Sequence, residues 1–230
     1  YSNDMGEFSN LDSKKDNQYF IEALKNRNAL IAVTEVEHDY PHCWRCHNPL
    51  VFRTTVQWFF KVEDLIPKFV TQSKKVKWIP KNYEDSYIKW IENLRDNAIT
   101  RQRYWGTPMP LWQCEKCNER IIIGSIQELK KYTKDIPQDL HKPWIDKVTF
   151  KCKKCNSFMK RIPDVLDVWL DSGTVSWNCL YNDPKLIKKY FPADLILEAT
   201  EQTRLWFYML QLSSNIIFGE NSFKNAYLHG

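Results

Sequence analysis

Apolar and polar residues alternate along the 230-residue chain in short blocks, and each block carries a period. Over Asn17–Leu30 (NQYFIEALKNRNAL) the apolar positions recur at helical spacing, and Ile31-Ala-Val-Thr-Glu-Val36 alternates as a strand does. Pro41 interrupts the pattern, and Leu50–Phe60 (LVFRTTVQWFF) again predicts a strand. The clearest helix is predicted over Asn82–Arg95, where Tyr83, Tyr87, Trp90, Ile91 and Leu94 form one stripe. Ser125-Ile-Gln-Glu128 has the form of a capping box, and Asp183-Pro184 offers an N-cap followed by proline at the first helical position.

The C-terminal stretch sets the fold expectation. Ala193–Glu198 predicts a short buried strand, Glu201–Ile217 a helix and Phe223–Leu228 another strand. That order is a βαβ unit, so the fold class is α/β, with a parallel sheet covered by helices. Ligands of such sheets bind beyond the carboxyl ends of the strands, and Glu198 stands at one of those ends.

Composition narrows the reading. At 43% hydrophobic and 27% charged, the chain can bury a core and form one or two domains. A net charge of +5 permits an anionic partner without demanding one. Only 6 glycines are present, and neither G-x-x-x-x-G-K-[ST] nor G-x-G-x-x-G occurs, which argues against a glycine-rich phosphate loop. No apolar run nears the roughly 20 residues of a membrane-spanning helix, so no membrane partner is expected. A start at Tyr1 and a finish on a strand-like run at His229-Gly230 point to a fragment.

Six of the seven cysteines fall in Cys-x-x-Cys pairs: Cys43/Cys46, Cys114/Cys117 and Cys152/Cys155. Without a secretory signal, such pairs predict metal ligands in a reducing compartment, the cytoplasm or an organelle matrix. Tetrahedral Zn2+ takes four soft donors, so Cys114, Cys117, Cys152 and Cys155 are expected to hold one structural ion. A shell of four thiolates has no open position and hence no catalytic role. Cys43 and Cys46 make a possible second half-site, either completed by cysteines elsewhere or degenerate, with His42 and His47 as alternative donors. Cys179 is expected to be a small core residue.

Four blocks stand in one order: His42-Cys-Trp-Arg-Cys46, Arg101-Gln-Arg-Tyr-Trp-Gly-Thr-Pro-Met-Pro110, Asp164-Val-Leu-Asp-Val-Trp-Leu-Asp-Ser-Gly173, and Phe191-Pro-Ala-Asp with Glu198, Gln202-Thr-Arg204 and Trp206-Phe207. In this order they resemble the isoleucyl-tRNA synthetases, a class I aminoacyl-tRNA synthetase family. The resemblance covers nearly the whole chain. It implies part of a class I Rossmann-type catalytic domain with a small zinc-binding insertion. Residues 1–47 would be the trailing edge of the inserted editing domain and 48–113 the return into the Rossmann domain. Residues 114–160 would be a zinc-knuckle insertion, and 161–230 the second half of the Rossmann domain, ending before the K-M-S-K-S loop. The family's H-I-G-H motif would lie upstream.

By the same resemblance the parent activates isoleucine with ATP and Mg2+ as an adenylate and transfers it to tRNA(Ile), acting as a cytoplasmic monomer. The fragment alone would be inactive, with no catalytic residue of its own. Glu198 and Gln202 would contact the adenylate, Trp169 and Trp206 would wall the amino-acid pocket, and Arg101 and Arg103 would meet tRNA or ATP phosphate. Independently of the resemblance, Lys151, Lys153, Lys154, Lys160 and Arg161 around the second knuckle form a basic face, either touching tRNA or simply solvated. The sequence departs from the family at Ala199 and Leu205, which replace glycines, at Glu201, which replaces aspartate, and at Asn97, which replaces tryptophan. A Cβ at 199 would obstruct a positive φ or a close backbone approach to the nucleotide. Two other readings stand beside this one: a stand-alone zinc-ribbon nucleic-acid-binding module, and a fragment of a valyl-tRNA synthetase.

Overall fold

The computed structural model describes residues 3–52, 54–181 and 183–230, which divide into a unit ending at Val56 and a unit over Gln57–Gly230. In the first unit the predicted helix forms over Asn17–Asn26 (α1), where the Phe8 ring packs against Tyr19 and Phe20. The strand predicted at Ile31–Val36 does not form: Ile31, Val33 and Val36 are exposed, and no strand pairs with them among the described residues. Alternation without a ladder partner leaves the backbone to water. The same holds for most of Leu50–Phe60, whose Leu50, Val51, Phe52 and Val56 are exposed, while Arg53 lies outside the described residues.

Among the described residues of that run, only Phe59–Phe60 (β1), at the start of the second unit, forms a paired strand. Ile66–Ser73 (α2), Lys77–Ile79 (β2) and Asn82–Glu92 (α3) follow, then Asn97–Ala98 (β3), antiparallel to β1, and Thr100–Arg101 (β4). A separate module comprises Leu111–Cys114 (β5), Arg120–Ile122 (β6), Ile126–Leu129 (α4), Phe150–Lys151 (β7) and Phe158–Arg161 (β8). Val165–Leu166 (β9), antiparallel to β4, leads into Val168–Gly173 (α5), Val175–Asn178 (α6) and Pro184–Tyr190 (α7). Ala193–Ala199 (β10), Trp206–Ile217 (α8) and Phe223–His229 (β11) complete the chain.

The predicted βαβ unit is present. β10 and β11 run parallel with α8 between them, and β2 adds parallel to β11, in the order β10-β11-β2. Phe207–Asn215 of α8 is buried all round, as expected of a helix apolar on most faces. It packs with Tyr87 and Ile91 of α3, Phe69 of α2, and Phe223, Ala226 and Leu228 of β11. Burying each large side chain stabilises the unit by about 1.5–3 kcal/mol. α5 closes on α8 at Gly173, where an added Cβ would lie 2.8 Å from the Met209 carbonyl oxygen. Among the described residues β10 pairs with β11 alone, and its Leu195 and Leu197 are exposed.

The module's four strands form an antiparallel sheet, β6-β5-β8-β7, over a core of its own that includes Trp112, Phe150 and Met159. The capping box forms, with a difference. Ser125 Oγ accepts the Glu128 N–H, while the Glu128 carboxylate takes the N–H of Gly124 rather than that of Ser125. Asp183 caps α7 as predicted, accepting from Lys185 N–H and Leu186 N–H. Two expectations are corrected. The helix predicted over Glu201–Ile217 is a 3-10 turn over Thr200–Arg204 that breaks at Leu205 before α8 begins, and Cys179 is exposed rather than in the core.

Candidate functional site

The Arg101–Pro110 and Asp164–Gly173 blocks grip one another. Three aspartates of the second block hold the first: Asp164 accepts from Gln102 Nε2 (3.1 Å), Asp167 pairs with the Arg101 guanidinium, and Asp171 accepts from Thr107 Oγ1 (3.0 Å). Backbone bonds reinforce the grip, from Leu166 N–H to Thr107 C=O (2.7 Å) and from Asp167 N–H to Ile99 C=O (2.8 Å). Asp167 also caps α5, its other oxygen accepting the Trp169 N–H at 2.8 Å. Arg101 is therefore engaged with Asp167 and with its neighbour's carbonyl oxygen. Arg103 is exposed. Asp167 was not singled out in the sequence, although an aspartate two residues before Trp169 is a readable N-cap signal.

Arg101, Asp167 and Trp169 share the wall of a cavity of about 190 Å³, which is otherwise largely apolar through Leu170, Tyr208 and Met209. Asn97 lines the same cavity, its amide 3.8 Å from the Met209 sulfur. Trp206 does not line this cavity; it is half-buried and donates its indole N–H to the Ser172 carbonyl (3.1 Å), which ties α8 to α5.

Glu198 lies exposed at the C-terminal end of β10. One turn on, Gln202 Oε1 accepts the Trp206 N–H (3.2 Å), so this amide caps α8 with its oxygen and keeps its NH2 for another acceptor. A hollow of about 540 Å³ is lined by Tyr83, Ser86, Thr200, Glu201, Thr203, Arg204 and Leu205, and neither Glu198 nor Gln202 is part of its lining. Ala199 has φ −70°, so nothing at this position asks for a glycine conformation.

Cys114, Cys117, Cys152 and Cys155 converge, with all four sulfurs within 4.8 Å of one another and two pairs at 3.4 and 3.7 Å. A tetrahedron with metal–sulfur bonds of 2.3 Å has edges of about 3.8 Å, so the cluster could hold such an ion with little movement. Electrostatics point the same way. The Cys117 and Lys116 N–H groups, with the Cys155 thiol, draw Cys114 down to about 6. The Glu119 N–H favours the Cys117 thiolate, but burial and the thiols of Cys155, Cys114 and Cys152 outweigh it and push that thiol up to about 12. Sulfurs this close do not all ionise unaided, and a dication among them removes the conflict.

The Cys-x-x-Cys turns share one backbone design. The first cysteine's N–H bonds the carbonyl five residues on, as in Cys114 to Glu119 and Cys152 to Ser157, each 2.8 Å. Its carbonyl accepts from the residue four on, Asn118 or Asn156, at φ 57° and 59°. Asparagine tolerates this left-handed conformation. Cys43 repeats the pattern with Asn48 and with His47 at φ 57°, and the Cys46 and Arg45 N–H groups lower the Cys43 thiol. The first unit therefore contains a knuckle of the same build as the two that meet in the module.

Of the expected basic face, Arg161 is corrected. Its side chain is buried, paired with Asp146 and bonded to the carbonyls of Met109 and Asp164. Lys154 and Lys160 pair with Glu119 and Glu115, and Lys151 and Lys153 lie over the Phe158 and Tyr132 rings.

The family described as tRNA synthetases class I (I, L, M and V) matches residues 6–230. Isoleucine–tRNA ligases are among the similar proteins. That of Treponema denticola is 37% identical over 100% of this chain and 21% of its own length. That of Archaeoglobus fulgidus is 40% identical over 100% and 22%, and that of Methanocaldococcus jannaschii 42% over 91% and 20%. The chain thus spans about a fifth of the length of these relatives.

Proposed function

We propose that this chain, which belongs to the class I tRNA synthetases of the isoleucyl, leucyl, methionyl and valyl group, is part of an isoleucine–tRNA ligase. The parent joins isoleucine to ATP as an adenylate, releasing pyrophosphate, and passes the aminoacyl group to the terminal ribose of tRNA(Ile). The supporting observation is the parallel sheet itself, with Glu198 exposed at the carboxyl end of β10 and Gln202 in the turn that follows. That is where α/β sheets receive ligands.

Each residue has a matching role. Glu198 is an acceptor for ribose hydroxyls or the substrate ammonium, and the free NH2 of Gln202 is a donor one turn away. Trp169 walls the apolar cavity, and Trp206, bonded to Ser172, holds α8 against the helix that carries Trp169. Arg103 is the exposed cation for phosphate, whereas Arg101 acts through Asp167. ATP enters with Mg2+.

Cys114, Cys117, Cys152 and Cys155 hold one structural Zn2+, and the like-built turn at Cys43 and Cys46 is a half-site, completed by cysteines elsewhere or degenerate. Residues 1–47 belong to the editing insertion, 48–113 and 161–230 to the Rossmann domain, and 114–160 to the zinc module. The enzyme works in the cytoplasm as a monomer, and this chain alone does not make the adenylate.

The test is amino-acid-dependent pyrophosphate exchange by the full-length parent. Exchange driven by isoleucine far better than by valine, and reduced at least tenfold by Glu198→Ala, is expected. Exchange that favours valine, or that Glu198→Ala leaves untouched, defeats the reading.

A further inference from the structure

The Trp105 ring stacks flat on the His141 ring, with centroids 4.7 Å apart and planes at 11°, across the join between the Arg101–Pro110 loop and the cysteine module. Lys142 Nζ crosses the same join to the Arg103 carbonyl oxygen at 3.2 Å. The His141 carbonyl accepts the Trp144 N–H (3.0 Å), and Lys147 Nζ sits 4.7 Å from the centre of the Trp144 ring. Yet the aromatic members remain in water: Trp105 is 66% exposed, Tyr104 64% and Trp144 47%. An indole with one face on an imidazole and most of its surface in solvent is half of a sandwich.

Cations surround it, and each of the two nearby acids has a partner. Asp139 is bound to both nitrogens of its neighbour His141, backbone and ring, and Asp146 is paired with buried Arg161. Both acids are exposed but have a partner, while Arg103, Lys142 and Lys147 face outward or keep donors free. Exposed aromatic plates interleaved with cations are the arrangement that holds an unpaired nucleic-acid strand, bases on the rings and phosphates on the cations.

We infer that Trp105, His141, Lys142 and Trp144 form a stacking platform for an unpaired RNA strand, the single-stranded end of the parent's tRNA substrate. This rests on the ligase reading for the identity of the RNA, but not for the stacking itself. A duplex, whose bases are stacked inside, would touch only the cations.

The experiment uses the full-length parent and two probes, a single-stranded ribonucleotide of about ten residues and a blunt RNA duplex of the same length. Trp105→Ala is expected to weaken single-strand binding roughly 5- to 150-fold, Trp105→Phe to restore most of it, and duplex affinity to change little. Lys142→Ala should reduce the salt slope by about 0.7 on the single strand. Isoleucine-dependent pyrophosphate exchange, which needs no RNA, reports separately on the fold and on the ligase reading. Unchanged single-strand affinity in Trp105→Ala, or equal losses on both probes, overturns the platform. If Trp105→Ala does not fold, Trp144→Ala carries the same expectation and the same refutation.

Discussion

One oxygen of Asp167 pairs with Arg101 while the other accepts the backbone N–H of Trp169. The cation and the indole therefore share a single carboxylate as their support. Moving Arg101 away releases the cap that sets the direction of α5, and with it the cavity wall.

Arg101→Ala in the parent should raise the KM for isoleucine in pyrophosphate exchange about tenfold, with a smaller change in kcat. The scale is that of a lost hydrogen bond to a charged group, about 1.5 kcal/mol. Arg101→Lys should recover part of the effect. If Arg101 served ATP phosphate instead, the KM for ATP would move and that for isoleucine would not.

The metal should respond to a single sulfur. Elemental analysis of protein purified without chelator is expected to find zinc, with Cys152→Ser losing the ion held by the four-cysteine cluster. Hydrogen exchange should then rise across the β5–β8 module and leave the β10-β11-β2 sheet protected, because each has its own core. Protection falling equally in both would show that the cores are not independent.

Gly173→Ala should destabilise the parent by about 1–3 kcal/mol, read as a lower denaturant midpoint. The new methyl meets backbone, the Met209 carbonyl at 2.8 Å, which cannot swing aside as a flexible side chain would. Ser213 Oγ also bonds the Gly173 carbonyl, so separating the helices breaks a buried hydrogen bond as well. A variant as stable as the parent would mean that α5 and α8 slide freely.

Local pattern carried the sheet because its elements bury what the periodicity marked. Tyr87, Ile91 and Leu94 of the predicted stripe are in the core, and Phe223, Ala226 and Leu228 face inward from β11. It failed at Ile31–Val36 and Leu50–Phe52, where the same alternation meets no neighbouring strand among the described residues. Strand formation depends on a partner, which period alone does not supply. The cysteine cluster was legible because Cys-x-x-Cys is a local geometry and only the meeting of two knuckles is tertiary. The aspartate grip was not, since Asp164, Asp167 and Asp171 find their partners more than sixty positions earlier in the chain. Nothing in either block taken by itself announces the other.

β10 pairs only with β11 among the described residues, leaving a row of unbonded amides and carbonyls bordered by Leu195 and Leu197. Such a border recruits whatever extended backbone drifts past. Handled apart from any covering segment, this polypeptide should cling to copies of itself, and a charged residue at Leu195 would be the simplest means of keeping it dispersed.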